Sequence, residues 1–355
     1  MYTLDLQYLR PKKAAALKRW HEGNLEVREK LQVLHLSNAT ILPLRKDSRV
    51  QFGLGGVVDA DGSYVELSAI PDRVQFAYPF EHAQFRDEKV VYCGYMVNHW
   101  GHFLIEAVCR LWYFLEQDST VDKYIFFLDE NEQREIKGNY RAFLELYGIW
   151  DRVEFINRPT SFREVLVPEL SLRTHTYYCP KYREMFDVIA DNVVSDPSWE
   201  TPEKIFYTRS QFQKGLQYQS GMEALDDFYQ RNGYCVMAPE KVPLSKMIWQ
   251  IRNCKEVAAI SGTIPHNMLF GCNGQKLTII ERLVMNDDHQ VCINRMRQLN
   301  VTPIDASFHL YPVDFCGPYF LGYNHILERY TQDHHMQPPG TQFTSVEYRD
   351  NCFKQ

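Results

Sequence analysis

From Lys89 to Arg282 the chain alternates two hydrophobic rhythms. Short apolar runs at Val90-Val91-Tyr92, Tyr124-Ile125-Phe126-Phe127-Leu128, Val153-Glu154-Phe155-Ile156 and Val165-Leu166-Val167 read as strands. So do residues 204–207, 234–237, 257–260 and 277–280. Between these runs, apolar residues return at helical spacing. Phe103, Leu104, Ala107, Val108, Leu111 and Trp112 form one face, and Phe143, Leu144 and Tyr147 form another that Gly148 closes. Two further helices are predicted over about residues 221–231 and 244–254. Strand and helix in alternation indicate a largely parallel sheet covered by helices. A polar joint with two prolines and three acids, Asp196-Pro197-Ser198-Trp199-Glu200-Thr201-Pro202-Glu203, splits the pattern into two such units. The pattern therefore predicts an α/β protein with two Rossmann-like domains facing a cleft, where open parallel sheets bind ligands beyond their strands' carboxyl ends.

The flanks differ. Residues 32–72 alternate short apolar runs with turns, which predicts a β-rich start built of antiparallel strands and hairpins. The cluster Gly53-Leu54-Gly55-Gly56 leads into Val57-Val58-Asp59 rather than a helix, so it reads as a turn and not as a dinucleotide fingerprint. Residues 1–30 read as a basic helical opening, with Leu9, Ala14, Leu17 and Trp20 at helical spacing among Arg10, Lys12, Lys13, Lys18 and Arg19. The expected division is 1–198 as a first α/β domain with the β-rich start, 199–310 as a second, Rossmann-like domain, and 311–355 as an extension. That extension either packs back on the first domain or supports a homodimer.

Bulk composition narrows the class. The 355 residues are 45% hydrophobic, 24% charged and 14% aromatic, which suits folded domains and excludes disorder as the main theme. A net charge of −6 argues against a nucleic-acid binder. Nine scattered cysteines with no Cys-x-x-Cys pair fit reduced thiols better than a disulfide framework or zinc site. No apolar run approaches the roughly 18 residues that would span a bilayer. The expectation is a cytoplasmic protein. A peripheral contact of residues 1–30 with the inner membrane face is weighed against a helix that simply packs on its domain.

Four constellations carry candidate chemistry. Arg209 stands just past a strand, with Lys214 on the same loop; a guanidinium there can pair bidentately with phosphate oxygens. Ser261-Gly262-Thr263 turns from a strand into a helix start, where small residues and free amides admit a phosphate, with His266 and Asn267 close behind. Glu281 ends the next strand, at a place where carboxylates accept ribose hydroxyls. Asn98-His99-Trp100-Gly101-His102 lies between a strand and a helix, and either imidazole can take a proton from an acceptor hydroxyl. The two histidines specify no third metal ligand, and Asp59-Ala60-Asp61 falls in a hairpin turn rather than forming an Asp-x-Asp run of the kind that holds a divalent ion, so no metal is expected.

Over roughly residues 85–285 this arrangement resembles glycosyltransferase family 61. Asn98 through Phe103 is similar to the family's Asn-Tyr-Gly-His-Phe signature, with His102 at the family histidine. Tyr207-Thr208-Arg209-Ser210 is similar to its strand ending in Ser-Arg. Gly262 through Phe270, with Glu281 after the last strand, resembles its third anchor. The chain departs from the family where Ser261-Gly262-Thr263 replaces a His-Gly-Ala turn, and where Gly221-Met222 replaces an Asn-Glu pair, with Glu223 the nearest substitute. The resemblance implies a GT-B-like, inverting, metal-independent glycosyltransferase of bacterial capsule or surface-polysaccharide assembly. Its donor would be a nucleotide sugar, UDP-linked, with no further cofactor. Its acceptor would be a glycan or lipid-linked glycan. His102 would be the general base with His99 as understudy, while Arg209, Lys214, Ser261, Gly262, Thr263, His266, Asn267 and Glu281 would form the donor site. The alternative is a noncatalytic nucleotide- or glycan-binding partner that keeps the architecture.

Overall fold

The computed structural model describes residues 2–23, 25–50, 53–70, 76–212, 219–282, 288–308 and 319–340. The chain forms two compact units, one of Leu25–Asn192 and one that joins Met1–Asn24 to Val193–Gln355.

The second unit is built on a six-stranded sheet in which every pairing is parallel. Its spatial order is Cys235–Met237, Lys204–Tyr207, Glu256–Ile260, Lys276–Ile280, Asn300–Ile304 and Thr3–Leu4. Apart from Thr3–Leu4, the order is second, first, third, fourth, fifth, a doubly wound arrangement that reverses between Lys204–Tyr207 and Glu256–Ile260. Ile205, Phe206, Val257, Ala258, Ala259 and Ile260 are all buried. That explains why these strands read as unbroken apolar runs: a parallel sheet is covered on both faces. Phe206, Ala258, Ile260, Ile280 and Ile304 form one core with Leu225, Phe228 and Tyr229 of the helix Met222–Arg231 and Ile326, Leu327 and Tyr330 of the helix His325–Asp333.

The first unit holds a mixed seven-stranded sheet. Gln84–Tyr95 lies at its centre, parallel to Thr160–Pro168 on one side and to Lys123–Phe127 on the other, with Val153–Ile156 beyond. Thr40–Arg45 and Leu54–Val58 form the antiparallel hairpin expected of the β-rich start, and Val33–Ser37 pairs antiparallel with Thr160–Pro168. The glycine cluster is not a turn. Gly55 and Gly56 lie inside the strand Leu54–Val58, and a Cβ on Gly56, at φ +102°, would meet the Ser68 hydroxyl at 2.9 Å.

Three expectations need correction. Residues 1–24 belong to the second unit: Thr3–Leu4 pairs with Asn300–Ile304, and the helix Pro11–Glu22 sets Leu17 against Val291. The described part of the C-terminal extension, 319–340, likewise packs into the second unit's own core. The continuous helix expected over 103–112 is broken into a helical turn at Trp100–His102, a π-helical turn at Phe103–Ala107 and a 3₁₀ helix at Leu111–Glu116.

Charge fixes the N-terminal helix in place. Lys13, 6% exposed, has its Nζ 3.4 Å from Glu281 Oε2, and Arg10 Nη1 lies 2.6 Å from Asp305 Oδ2. Glu281 and Asp305 directly follow adjacent strands and are almost wholly buried. Burial alone would raise the Asp305 carboxyl, but the Lys13 charge, the Ser307 hydroxyl and Arg10 outweigh it and hold it below the usual carboxylate range. Removing one partner of a buried ion pair costs about 3–5 kcal/mol. Lys13→Met is therefore expected to destabilise the protein by about that amount in urea unfolding, and adding Glu281→Gln should recover part of the loss. The depressed Asp305 carboxyl contributes stability that is present above its unfolded value and lost as pH falls through its folded value. The difference between wild type and Lys13→Met should thus shrink under acid.

Candidate functional site

The reversal in the second unit's sheet defines a crevice at the carboxyl ends of Lys204–Tyr207 and Glu256–Ile260, because the crossovers leave those strands in opposite directions. Three residues stand there beyond neighbouring strands. Arg209, Gly262 and Arg282 each lie two positions past the end of a strand, and the register pairs Tyr207 with Ala259 and Ile260 with Ile280. The sheet edge therefore presents arginine, glycine, arginine.

Each guanidinium is held by its surroundings. Arg209 Nε donates to Gln219 Oε1 at 2.7 Å, and its guanidinium carbon lies 4.9 Å from the Phe212 ring centre. Arg282 Nε donates to the Ser261 carbonyl at 2.8 Å, its backbone N–H donates to Ser261 Oγ at 3.1 Å, and its guanidinium carbon lies 4.8 Å from the Tyr319 ring centre. The supports belong to one ribbon, since Gln219–Ser220 pairs with Tyr319–Phe320. Burial, then the charge of Arg282, pulls the Arg209 guanidinium down to about 10, with Tyr319 and Glu240 opposing. Among the described residues no carboxylate lies within ion-pair distance of either arginine. Two like charges brought together in a partly dry crevice, with donors still available, make a site that a polyanion would stabilise.

Gly262 lets Arg282 approach. It adopts φ +112°, and a Cβ there would sit 2.7 Å from Arg282 Nη2. The helix that follows, Thr263–His266, is only four residues long before it tightens into the 3₁₀ turn Asn267–Phe270. The dipole expected at this turn is correspondingly small, and the anion-binding capacity rests on the arginines.

The structure sorts the other expected donor-site residues. Thr263 is half-buried at the start of the turn. Ser261 is buried and supports Arg282. His266 is buried, with Nδ1 2.9 Å from Gln290 Oε1, and Asn267 donates to the Ile264 carbonyl at 2.9 Å; both hold the turn's own structure. Glu281 pairs with Lys13 and lines a cavity of about 10 Å³ beside Ser261 and Gly262, room for roughly one water and not for a ribose. Lys214 lies outside the described residues. Arg282 is absent from the donor site read from the sequence; its position two past a strand end, the same as Arg209's, is the signal that identifies it.

The first unit carries the second constellation, at the carboxyl end of its central strand Gln84–Tyr95. His99 caps the turn that follows: its Nδ1 accepts the backbone N–H of His102 at 3.4 Å. The chain then winds wider, with Val108 N–H donating to the Phe103 carbonyl in the i→i−5 pattern of a π turn, a feature frequent at functional sites. Phe103 and Leu104 are fully buried and anchor this turn, and the Tyr182 hydroxyl donates to the Leu104 carbonyl. His102 remains about one-third exposed, with Nδ1 2.6 Å from Glu106 Oε1. A carboxylate only accepts, so Nδ1 carries the proton and Nε2 is left as the basic nitrogen. Glu106 was overlooked although its i,i+4 spacing from His102 is readable in the sequence. The ring centres of His99 and His102 are 4.8 Å apart. Among the described residues, no three His, Cys, Asp or Glu side chains converge as metal ligands.

Compared with known families, the chain matches the family described as Glycosyltransferase 61 over residues 100–285, a little over half of its length. No curated protein matches the chain.

If the arginine pair binds a diphosphate, Arg282→Ala should weaken UDP binding as much as Arg209→Ala, by about tenfold to a hundredfold in calorimetric titration, since a charged hydrogen bond is worth about 1.5–3 kcal/mol. Gly262→Ala should produce a similar loss by displacing Arg282. Unchanged affinity in both arginine variants would remove the crevice from consideration.

Proposed function

Because the chain belongs to glycosyltransferase family 61, and is thus a glycosyltransferase acting between a nucleotide-sugar donor and a glycan acceptor, we propose that it works by single displacement with inversion and without a metal. The observation that carries this reading is the arginine pair flanking Gly262. In sugar transfer from a nucleoside diphosphate, negative charge grows on the departing diphosphate as the bond from the anomeric carbon breaks. Arg209 and Arg282, already oriented by Gln219 and Ser261, supply fixed positive charge where that charge develops.

On the acceptor side, His102 Nε2 takes the proton of the attacking hydroxyl as the new glycosidic bond forms. Glu106 keeps the imidazole in the required tautomer and stabilises the imidazolium that results. His99 shapes the turn rather than serving as a second base, because its Nδ1 is engaged in capping. The ribose contact expected of Glu281 is left out, since its carboxylate is committed to Lys13.

We further assign a GT-B-like organisation, a UDP-linked donor, and an acceptor in surface-polysaccharide assembly, glycan or lipid-linked glycan, at the inner face of a membrane. Lys12, Lys18, Arg19 and Trp20 are exposed on the helix Pro11–Glu22, which suits peripheral contact with an anionic surface. Among the described residues no helix is long and apolar enough to cross a membrane.

His102→Ala should abolish transfer and leave UDP affinity unchanged. Glu106→Gln should lower kcat about tenfold to a hundredfold, again without loss of UDP binding, as general-base catalysis typically contributes 10² to 10⁴. The readout is release of UDP from UDP-sugars. Failure of the wild type to turn over any nucleotide sugar it binds would favour the noncatalytic partner instead.

A further inference from the structure

A cavity of about 370 Å³ opens at the carboxyl end of the first unit's central strand, lined by Met96, Val97 and Asn98 on one side and by Arg134, Ile136 and Tyr140 on the other. It shares no residue with the arginine crevice and takes no part in the proton transfer assigned to His102. Its volume falls within the range of small-molecule sites. Its walls combine an aromatic ring with planar polar groups.

The aromatic wall is tied to the histidine turn. Trp100 meets Tyr140 edge-on, with ring centres 5.8 Å apart, and stacks on Phe103 at 5.4 Å; Phe103 in turn meets Tyr140 edge-on at 5.2 Å. Tyr140 is thereby fixed in orientation and half-buried. The polar wall is also fixed. Arg134 donates through Nη2 to the Met96 carbonyl at 2.5 Å, and its Nη1 lies 3.4 Å from Glu132 Oε1, while its buried Nε has no hydrogen-bond partner among the described residues. Burial raises the Tyr140 phenol and the nearby Arg134 charge opposes that, so the guanidinium and the phenol share one environment. Asn98 is exposed and directly precedes His99.

A rigid ring with one apolar face, plus an amide, a phenol and a guanidinium able to reach hydroxyls, matches the chemistry of a pyranose: apolar C–H bonds on its faces and hydrogen-bonding groups around its rim. Arg134 already has Glu132, and Lys137 at the cavity's rim has Glu135 at 3.5 Å, so both cations on this wall are matched by acids. The occupant is accordingly uncharged. We propose that this cavity is a subsite for a neutral hexopyranose of the glycan acceptor, with Tyr140 and Asn98 as its specificity-determining contacts. The word acceptor rests on the transferase reading above; the sugar-binding cavity does not.

The test uses the full chain and saturation-transfer NMR with methyl glycosides of glucose, galactose, mannose, N-acetylglucosamine and glucuronic acid, alongside the UDP-induced shift in melting temperature. Expected is transfer to at least one neutral glycoside, reduced at least about fivefold in Tyr140→Ala or Asn98→Ala, with the UDP shift intact in both. Asn98 is exposed, so its variant decides the matter if Tyr140→Ala does not fold. No transfer to any neutral glycoside, transfer to the glucuronide alone, or signals undiminished in both variants would overturn the subsite. A wild type that ignores UDP yet loses a glycoside signal on substitution would overturn the donor assignment and leave this subsite standing.

Discussion

The candidate chemistry of the second unit depends on one topological constraint, the reversal of strand order between Lys204–Tyr207 and Glu256–Ile260. A parallel sheet aligns the carboxyl ends of its strands. A reversal separates the crossovers there, so backbone and side chains just beyond those ends meet an opening instead of a covering loop. Arg209, Gly262 and Arg282 each stand two residues beyond a strand end, in neighbouring strands held in register. Their convergence follows from the sheet. The Gln219–Ser220 and Tyr319–Phe320 ribbon then only has to fix the guanidiniums, through one amide and one aromatic face.

The same edge carries an opposite solution one step along. Beyond Lys276–Ile280 and Asn300–Ile304 the next outward groups are carboxylates, Glu281 and Asp305, and there the protein supplies its own cations from Lys13 and Arg10. Among the described residues, positive side chains without acid partners and negative side chains matched by cations thus sit on one sheet edge. That contrast separates the part of the edge suited to a ligand from the part engaged in holding the N-terminal helix.

Much of this was legible in the sequence wherever the signal is local. Buried parallel strands such as Lys123–Phe127, Lys204–Tyr207 and Glu256–Ile260 appear as apolar runs because both faces are covered, and the helix Met222–Arg231 appears through its amphipathic spacing. Asn300–Ile304 was hidden by Pro303, which interrupts an otherwise apolar run and argues against a strand. The winding after His99 was hidden for a different reason: α, π and 3₁₀ turns bury nearly the same apolar residues, so spacing does not tell them apart. Arg209 and His102 were found because a strand end and a helix start announce them. The Lys13 pair was not, because its partner lies far away along the chain and no local pattern couples them. For that same reason the sequence offers Glu281 a ribose contact without showing the cation beside its carboxylate.

The N-terminal strand carries a consequence for how the protein is made. Thr3 pairs with Asn300, 297 residues later, so a strand made early waits for a partner made late. At about 5–20 residues per second, a wait of roughly 15–60 s separates the synthesis of these two strands. During that interval Leu25–Asn192 is complete and contiguous, while the segment before it, with Lys13 and its neighbouring basic residues, still lacks the acids that will bury it. The unit that holds the arginine crevice is therefore assembled from two separated stretches of chain, after the contiguous unit encoded between them has had time to fold.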